Sequence, residues 1–267
     1  MDASKTNVYV FDNYIAQLVD GLDADVHKHG AYQLSVSVDG CAHEVGPHKD
    51  ARRRALGHLT GPNKPHTLNS CSGKQVLIWI APESTLGHHL GSTYLDDEGF
   101  GVIPDDVVAG LPVAELGPAI EEGWTGREIS PVCDRFLGAM VDEPWSNSAD
   151  LHPAIRDAME IIDAQPQFAI SAKELASRVA LSTSRFLHLF TEQMGTPLRP
   201  HLQWLRLTDA LRRVADGESV TDAAAAAGFF DAPHLNRSVQ QYLGLRPTDF
   251  AAHPDITIEV CLSMPAP

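Results

Sequence analysis

A chain of 267 residues with 43% apolar content is long enough for two domains, each with its own core. The formal charge of −15 excludes a protein held on phosphate by bulk attraction, and no stretch approaches the ~20 apolar residues needed to span a bilayer. No basic segment followed by an apolar run opens the sequence, so a cytoplasmic location without membrane attachment is expected, and the four scattered cysteines (Cys41, Cys71, Cys133, Cys261) are expected to be thiols.

Residues 1–100 read as β structure. Tyr32, Leu34, Val36 and Val38 alternate with Gln33, Ser35 and Ser37, the period of a strand with one buried face. Val8 to Phe11 and Val76 to Ile80 are short runs rich in β-branched and aromatic residues, and Asp39-Gly40 and Ser72-Gly73 supply turns. Several short strands joined this way suggest a small barrel or jelly roll. Prolines 104, 112, 118 and 131 punctuate residues 101–149. There Val132, Phe136, Leu137 and Met140 have helical spacing, suited either to dimerisation or to packing on the barrel. Pro144 to Ser148 reads as a linker. The expected organisation is thus α+β in two domains: a barrel over 1–100, a helical dimerisation or linker segment over 101–149, a helical domain over 150–251 and a tail over 252–267.

The helical domain contains one pattern twice. Ser171 with Glu174, and Ser219 with Asp222, open the two copies as capping boxes. Small residues follow (Ala176, then Ala223 to Ala227), where a second helix must come close. A new polar cap restarts each copy, at Ser182 and at Asp231, an offset of 49 that also carries Phe186 and Phe190 onto Leu235 and Val239, and Gly195 onto Gly244. A helix from Leu198 to Ala215, ended by Asp216-Gly217, joins the copies, and Leu151, Ile155, Met159 and Ile162 form one face of a helix before them. A short helix, a tight turn and a second helix with a polar face make a helix-turn-helix unit, and two such units can read two successive turns of a DNA groove.

The residues on those polar faces are of types that read DNA: Thr183, Ser184, Arg185 and His188 in the first copy, and Ala232, Pro233, His234, Asn236 and Arg237 in the second. Arginine pairs with guanine, asparagine with adenine, and small apolar groups touch the thymine methyl. The charge is distributed accordingly: residues 1–149 carry 10 basic and 21 acidic groups, residues 150–250 carry 10 and 12. Attraction to phosphate then falls to local placement of Arg185, Arg199, Arg206, Arg212, Arg213, Arg237 and Arg246 and to helix N-termini.

The run Glu174-Leu175-Ala176, Leu181-Ser182, Phe186, Phe190, Gly195-Thr196-Pro197, Arg206-Leu207 and Ala210, followed by Val220 to Ala224, Ala227-Gly228-Phe229-Phe230-Asp231, His234-Leu235, Arg237, Gly244, Pro247 and Phe250, closely resembles the AraC/XylS family of bacterial transcription regulators over about a hundred residues. The resemblance implies two recognition helices in adjacent major-groove segments, with contacts from Thr183, Ser184, Arg185, His188, Ala232, Pro233, His234 and Arg237. Val239 stands where the family has an aromatic, Ala251 where it has a basic residue, and the alanine run replaces an isoleucine. Looser packing of the second unit is therefore expected.

Near the other end, Gly21-x5-His27-x-His29-x3-Gln33-x6-Gly40 resembles the first cupin motif, with Gln33 in place of glutamate, and Pro62 to His66 loosely resembles the second. Such cupin-like barrels serve AraC-type regulators as effector-binding and dimerisation domains. Imidazoles at i and i+2 share one side of a strand, and His66 can join them from a neighbour. Three imidazoles and an amide could hold Zn, Ni, Mn or Fe. Direct contact of His27, His29, Gln33 and His66 with a small-molecule effector, and a purely structural role, remain open. The other histidines (His43, His48, His58, His88, His89) are expected at the surface, and Arg52 to Arg54 as a solvated run.

The expected function is a homodimeric regulator that binds promoter DNA, responds to a small molecule and, if an activator, meets RNA polymerase. It is not expected to be an enzyme. The rival readings are a metal-dependent cupin enzyme (oxygenase or isomerase) with a helical appendage, and a helical protein–protein adaptor.

Overall fold

The computed structural model describes residues 6–11, 14–70, 73–82, 84–141, 151–194, 196–243 and 256–260. The linker at 144–148, Gly195, Gly244, Pro247, Phe250 and Ala251 lie outside them. In the N-terminal part, strands β1 (Thr6–Val10), β2 (Tyr14–Asp20), β3 (Asp23–His27), β4 (Tyr32–Ser37), β5 (His43–Gly46), β6 (Arg53–Ala55), β7 (Gly57–Thr60), β8 (His66–Asn69), β9 (Lys74–Ile80) and β10 (Phe100–Val102) form two antiparallel sheets. The larger runs β10-β7-β4-β9-β2-β1 and the smaller β3-β8-β5-β6. A further strand, β11 (Ile256–Val260), comes from the segment read as a tail and pairs in parallel with β1, so the end of the described chain completes the larger sheet.

Alternation decides what each face of that sheet meets. Leu34 and Val36 of β4, Leu59 of β7, Val76, Ile78 and Ile80 of β9, and Ala16 and Leu18 of β2 point outward into one apolar core. Helices α1 (Thr85–Tyr94), α2 (Asp105–Gly110), α3 (Val113–Glu122) and α4 (Gly126–Gly138) cover that core, supplying Leu86, Val108, Leu116, Ile120, Ile129, Val132, Phe136 and Leu137. Helix α4 is therefore a packing helix: its apolar stripe is spent on the sheet, and Arg127, Asp134 and Arg135 face outward. The opposite face carries Ile15, Gln17, Val19, Gln33, Ser35, Ser37, His58, Gln75, Leu77 and Trp79, and all of these are buried.

The helical part contains α5 (Pro153–Asp163), α6 (Ala172–Arg178), α7 (Thr183–Met194), α8 (Leu198–Ala215), α9 (Val220–Ala226) and α10 (Ala232–Leu243). Ile155, Ile162, Leu175, Phe186, Phe190, Met194 and Leu202 form the core of the first unit. The second unit has no separate core. Trp204, Leu207, Leu211, Ala224, Phe229, Leu235, Val239 and Tyr242 form a single cluster with Val8, Val10, Ile15, Leu77 and Trp79 of the sheet. Phe190 is fully buried, and Phe190→Ala is expected to cost about 3–5 kcal/mol, read as a lower urea midpoint for the helical region.

Candidate DNA-reading faces and the histidine cluster

The two helix pairs match helix for helix. α6 and α9 each have seven residues, and α7 and α10 each have twelve. All four N-termini are capped at the third backbone N–H: Glu174 N–H donates to Ser171 Oγ at 3.1 Å, Asp222 N–H to Ser219 Oγ at 3.1 Å, Arg185 N–H to Ser182 Oγ at 3.3 Å and His234 N–H to Asp231 Oδ1 at 2.7 Å. Each turn holds one residue in the left-handed region, Ala180 (φ 55°) and Gly228 (φ 81°), followed by equivalent bonds from Leu181 N–H to Ala176 O and from Phe229 N–H to Ala224 O, both 2.9 Å. Alanine is strained there where glycine is not, so Ala180→Gly is expected to stabilise by up to about 1 kcal/mol, read by urea denaturation.

The match also shows an insertion. The first helices and turns are offset by 48 and the second helices by 49, and the extra residue is Phe230, whose side chain is 92% exposed. It sits immediately before the cap of α10. Sequence reasoning did not single it out, although the change of offset was there to be read.

Ser184, Arg185 and His188 are exposed and Thr183 half-buried on α7; Pro233, His234 and Arg237 are exposed, and Ala232 and Asn236 half-buried, on α10. Of the seven arginines expected to draw phosphate, Arg246 lies outside the described residues and the other six divide into two groups. Arg185, Arg199 and Arg237 are exposed. Arg206 is spent internally, donating to Gln167 O and Phe168 O at 2.9 and 3.2 Å; Arg213 pairs with Asp209 and Glu218 at 3.0 and 3.2 Å; Arg212 donates to Phe11 O in the sheet domain at 3.0 Å. Arg206 and Arg212 are thus engaged by backbone carbonyls where two layers meet, and Arg213 is neutralised by acids of its own helix and of the turn after it.

Val239 is buried beside an apolar crevice lined by Leu211, Val214, Val220 and Leu235.

The other cluster lies between the sheets. His27 on β3 is paired in register with His66 on β8; His29 follows β3, and Gln33 reaches in from β4. One ring nitrogen from each of His27, His29 and His66 lies within 4.8 Å of the others, and Gln33 Oε1 is 2.8 Å from His29 Nε2 and 3.0 Å from His66 Nε2. Each Nδ1 faces a backbone carbonyl: Asp25 O at 2.8 Å from His27, Ala31 O at 3.0 Å from His29 and Lys64 O at 2.9 Å from His66. Burial lowers the pKa of all three rings, His29 to about 4 and His66 well below its ordinary value, with neighbouring imidazoles adding to the effect at both.

His43 and His58 correct the expectation of surface histidines, because both are buried between the sheets. His58 Nε2–H donates to Arg53 O at 2.9 Å, so its Nδ1 accepts from His43 Nε2–H at 3.1 Å. Desolvation by burial, then the paired imidazole, takes His43 to about 3, and burial takes His58 to about 4. Arg52 is not solvated either: its side chain is largely buried, and its Nε–H donates to Thr67 Oγ1 at 2.8 Å. Along the same inner face the amides of Gln17 and Gln75, the Trp79 Nε1 and the His43 Nδ1 are buried with no partner among the described residues.

A family model described as a helix-turn-helix domain matches residues 175–253. Residues 175–253 are an AraC-type DNA-binding domain. The fold of the whole chain is similar to that of ToxT from Vibrio cholerae O395, with TM-score 0.52 and 12% identity over 94% of this chain and 97% of that one. It is also similar to unsaturated fatty acid-bound ToxT from V. cholerae strain SCE256, with TM-score 0.50 and 10% identity over 90% and 95%. An AraC-type DNA-binding-domain protein from Chromobacterium violaceum is 23% identical over 38% of this chain and 95% of that chain, with TM-score 0.35. No curated protein matches. The chain is a DNA-binding transcription regulator, and the double unit of α6–α7 and α9–α10 is its reading head. Among the described residues no helix is long and apolar enough to cross a membrane.

Proposed function

We propose that this AraC-type regulator is a cytoplasmic, one-component sensor. A cupin-like domain over residues 1–100 binds a small effector and the domain over 150–251 reads promoter DNA as a homodimer, with 101–149 between them. The observation that carries the reading is the pair of twelve-residue helices with exposed Ser184, Arg185 and His188 on one and Pro233, His234 and Arg237 on the other. Two capped helices presenting such side chains suit adjacent major-groove segments. Those residues, with Thr183, Ala232 and Asn236, are the proposed DNA contacts.

The effector is proposed to contact His27, His29, Gln33 and His66. The buried amides of Gln17 and Gln75, one and two strand rows deeper on the same face, favour a polar ligand: buried polar groups find partners in protein, water or ligand. The helix-turn-helix match over residues 175–253 favours a regulator over an enzyme.

The test is selection of duplexes from a random pool by the full chain, followed by affinity measurement across salt. A DNA reader recovers one sequence class and loses affinity linearly in log salt. An adaptor recovers no sequence and has no such salt term, which would overturn the reading.

A further inference from the structure

We propose that His27, His29, His66 and Gln33 bind one divalent transition-metal ion, and that this ion is the effector to which the reading head responds; the proposal rests on the regulator reading above.

A backbone carbonyl can only accept, so the Nδ1 of each ring carries the proton and each Nε2 is left with a lone pair. This is the outer-shell arrangement that orients metal-binding imidazoles. Gln33 then places a carbonyl oxygen, another acceptor, 2.8 and 3.0 Å from two of those lone pairs. Acceptors facing acceptors in a buried site need a cation or a donor between them. His29 and His66 are buried, which opposes a proton on either Nε2. An ion at about 2.0–2.1 Å from each nitrogen satisfies all four atoms after closure of about an ångström. Imidazoles with one amide oxygen and no thiolate select Zn2+, Ni2+ and similar ions over Ca2+ or Mg2+. His27, half-buried, gives the ion a way in. The competing arrangement turns the Gln33 amide over, so that its NH2 donates to both rings and no ion is wanted.

The same segment seats the reading head. Gln241 Nε2–H donates to Lys28 O at 3.1 Å, the Tyr242 hydroxyl bonds to the Gly30 backbone, and the Tyr242 ring lies 5.9 Å from that of His29. A Cβ on Gly30 would come within 3.3 Å of Pro200 O on α8. Residues 27–30 thus carry two metal ligands and the socket for the last turn of α10, and an ion that draws the ligands together reshapes the socket.

The experiment uses the full chain freed of metal by a chelator. Zn2+ is titrated calorimetrically and Co2+ by its visible absorption, and operator duplexes selected by the chain with and without Zn2+ are used for binding. One ion per chain is expected. His27→Ala should weaken binding at least tenfold, and Gln33→Glu should bind at least as tightly as the natural chain. Operator affinity should change at least about fivefold on loading. The double variant Gln241→Ala with Tyr242→Phe should bind Zn2+ as before but lose that change. No ion bound, or binding indifferent to His27→Ala, overturns the site while leaving operator binding to stand. Metal binding by Gln33→Glu with none by the natural chain supports the turned-over amide and also overturns it. An ion bound without any change in operator affinity overturns its role as effector. Absence of operator binding in both states overturns the regulator reading alone.

Discussion

Replacing Arg185 and Arg237 together by alanine is expected to abolish sequence-specific DNA binding and leave the melting temperature within a degree or two of its starting value. Both side chains are exposed, one on each reading helix, so their removal touches no core and surface changes of this kind move stability by no more than about 0.5 kcal/mol. A bidentate arginine–guanine contact is worth about 1–3 kcal/mol of discrimination, and two contacts on separate helices add. The pair should therefore cost about 2–6 kcal/mol, between about 30-fold and about 2 × 10⁴-fold in operator affinity. Equilibrium binding to the selected operator, beside a thermal melt, checks it. If the two arginines meet phosphate instead, affinity falls for every sequence alike and the salt slope shrinks by about one per residue. Unchanged affinity would remove these faces from the interface.

The helical half was legible because its signals are local. Ser171, Ser182, Ser219 and Asp231 each act on a backbone N–H three residues away, so cap spacing in the sequence becomes cap geometry in the fold. The long helix from Leu198 to Ala215 and its stop at Gly217 (φ 93°) follow from the same local grammar. The strands at β1, β4 and β9 were visible by alternation and β-branched content. His27 and His66 meet through the register of β3 and β8, whereas His29 joins them from just beyond the end of β3.

What stayed hidden depends on contacts distant in sequence. Nothing local to His43 or His58 shows that β5 and β7 will bring their rings together between two sheets. The fate of Arg212 is decided by a carbonyl 201 residues away. The fusion of the second unit's core with the sheet was equally invisible. It makes the two units unequal: the first has a core of its own, while the second shares its core with β1, β2 and β9. Val239, in place of an aromatic, and Phe230, inserted and exposed, both fall in the unit anchored to the sheet.

Mild acid is expected to unfold the sheet domain. A histidine buried in its neutral form has a folded-state pKa below 6.5, so the unfolded chain binds the proton first and stability falls as pH drops below 6.5. The fall continues to about 4 for His29 and His58 and to about 3 for His43, at about 1.4 kcal/mol per pH unit for each ring. At pH 5 each contributes a loss of about 2 kcal/mol, together about 6 kcal/mol, set against a total stability of about 5–15 kcal/mol for a domain. Among the carboxylates Asp134, whose carboxyl burial pushes up, opposes this fall at its acid end, whereas two others act below it. Asp96 and Glu128 are held below their ordinary values by the backbone N–H groups of Phe100 and Thr125, so the stability they add is lost only as pH falls below the ordinary carboxylate range. Urea midpoints in chelator at pH 7.5, 6 and 5 measure the slope, and His58→Gln should reduce it by about one proton. A midpoint that stays level from pH 7.5 to 5 would mean that these rings are solvated, and would undo the packed polar interior from which both the effector site and its link to the reading head are argued.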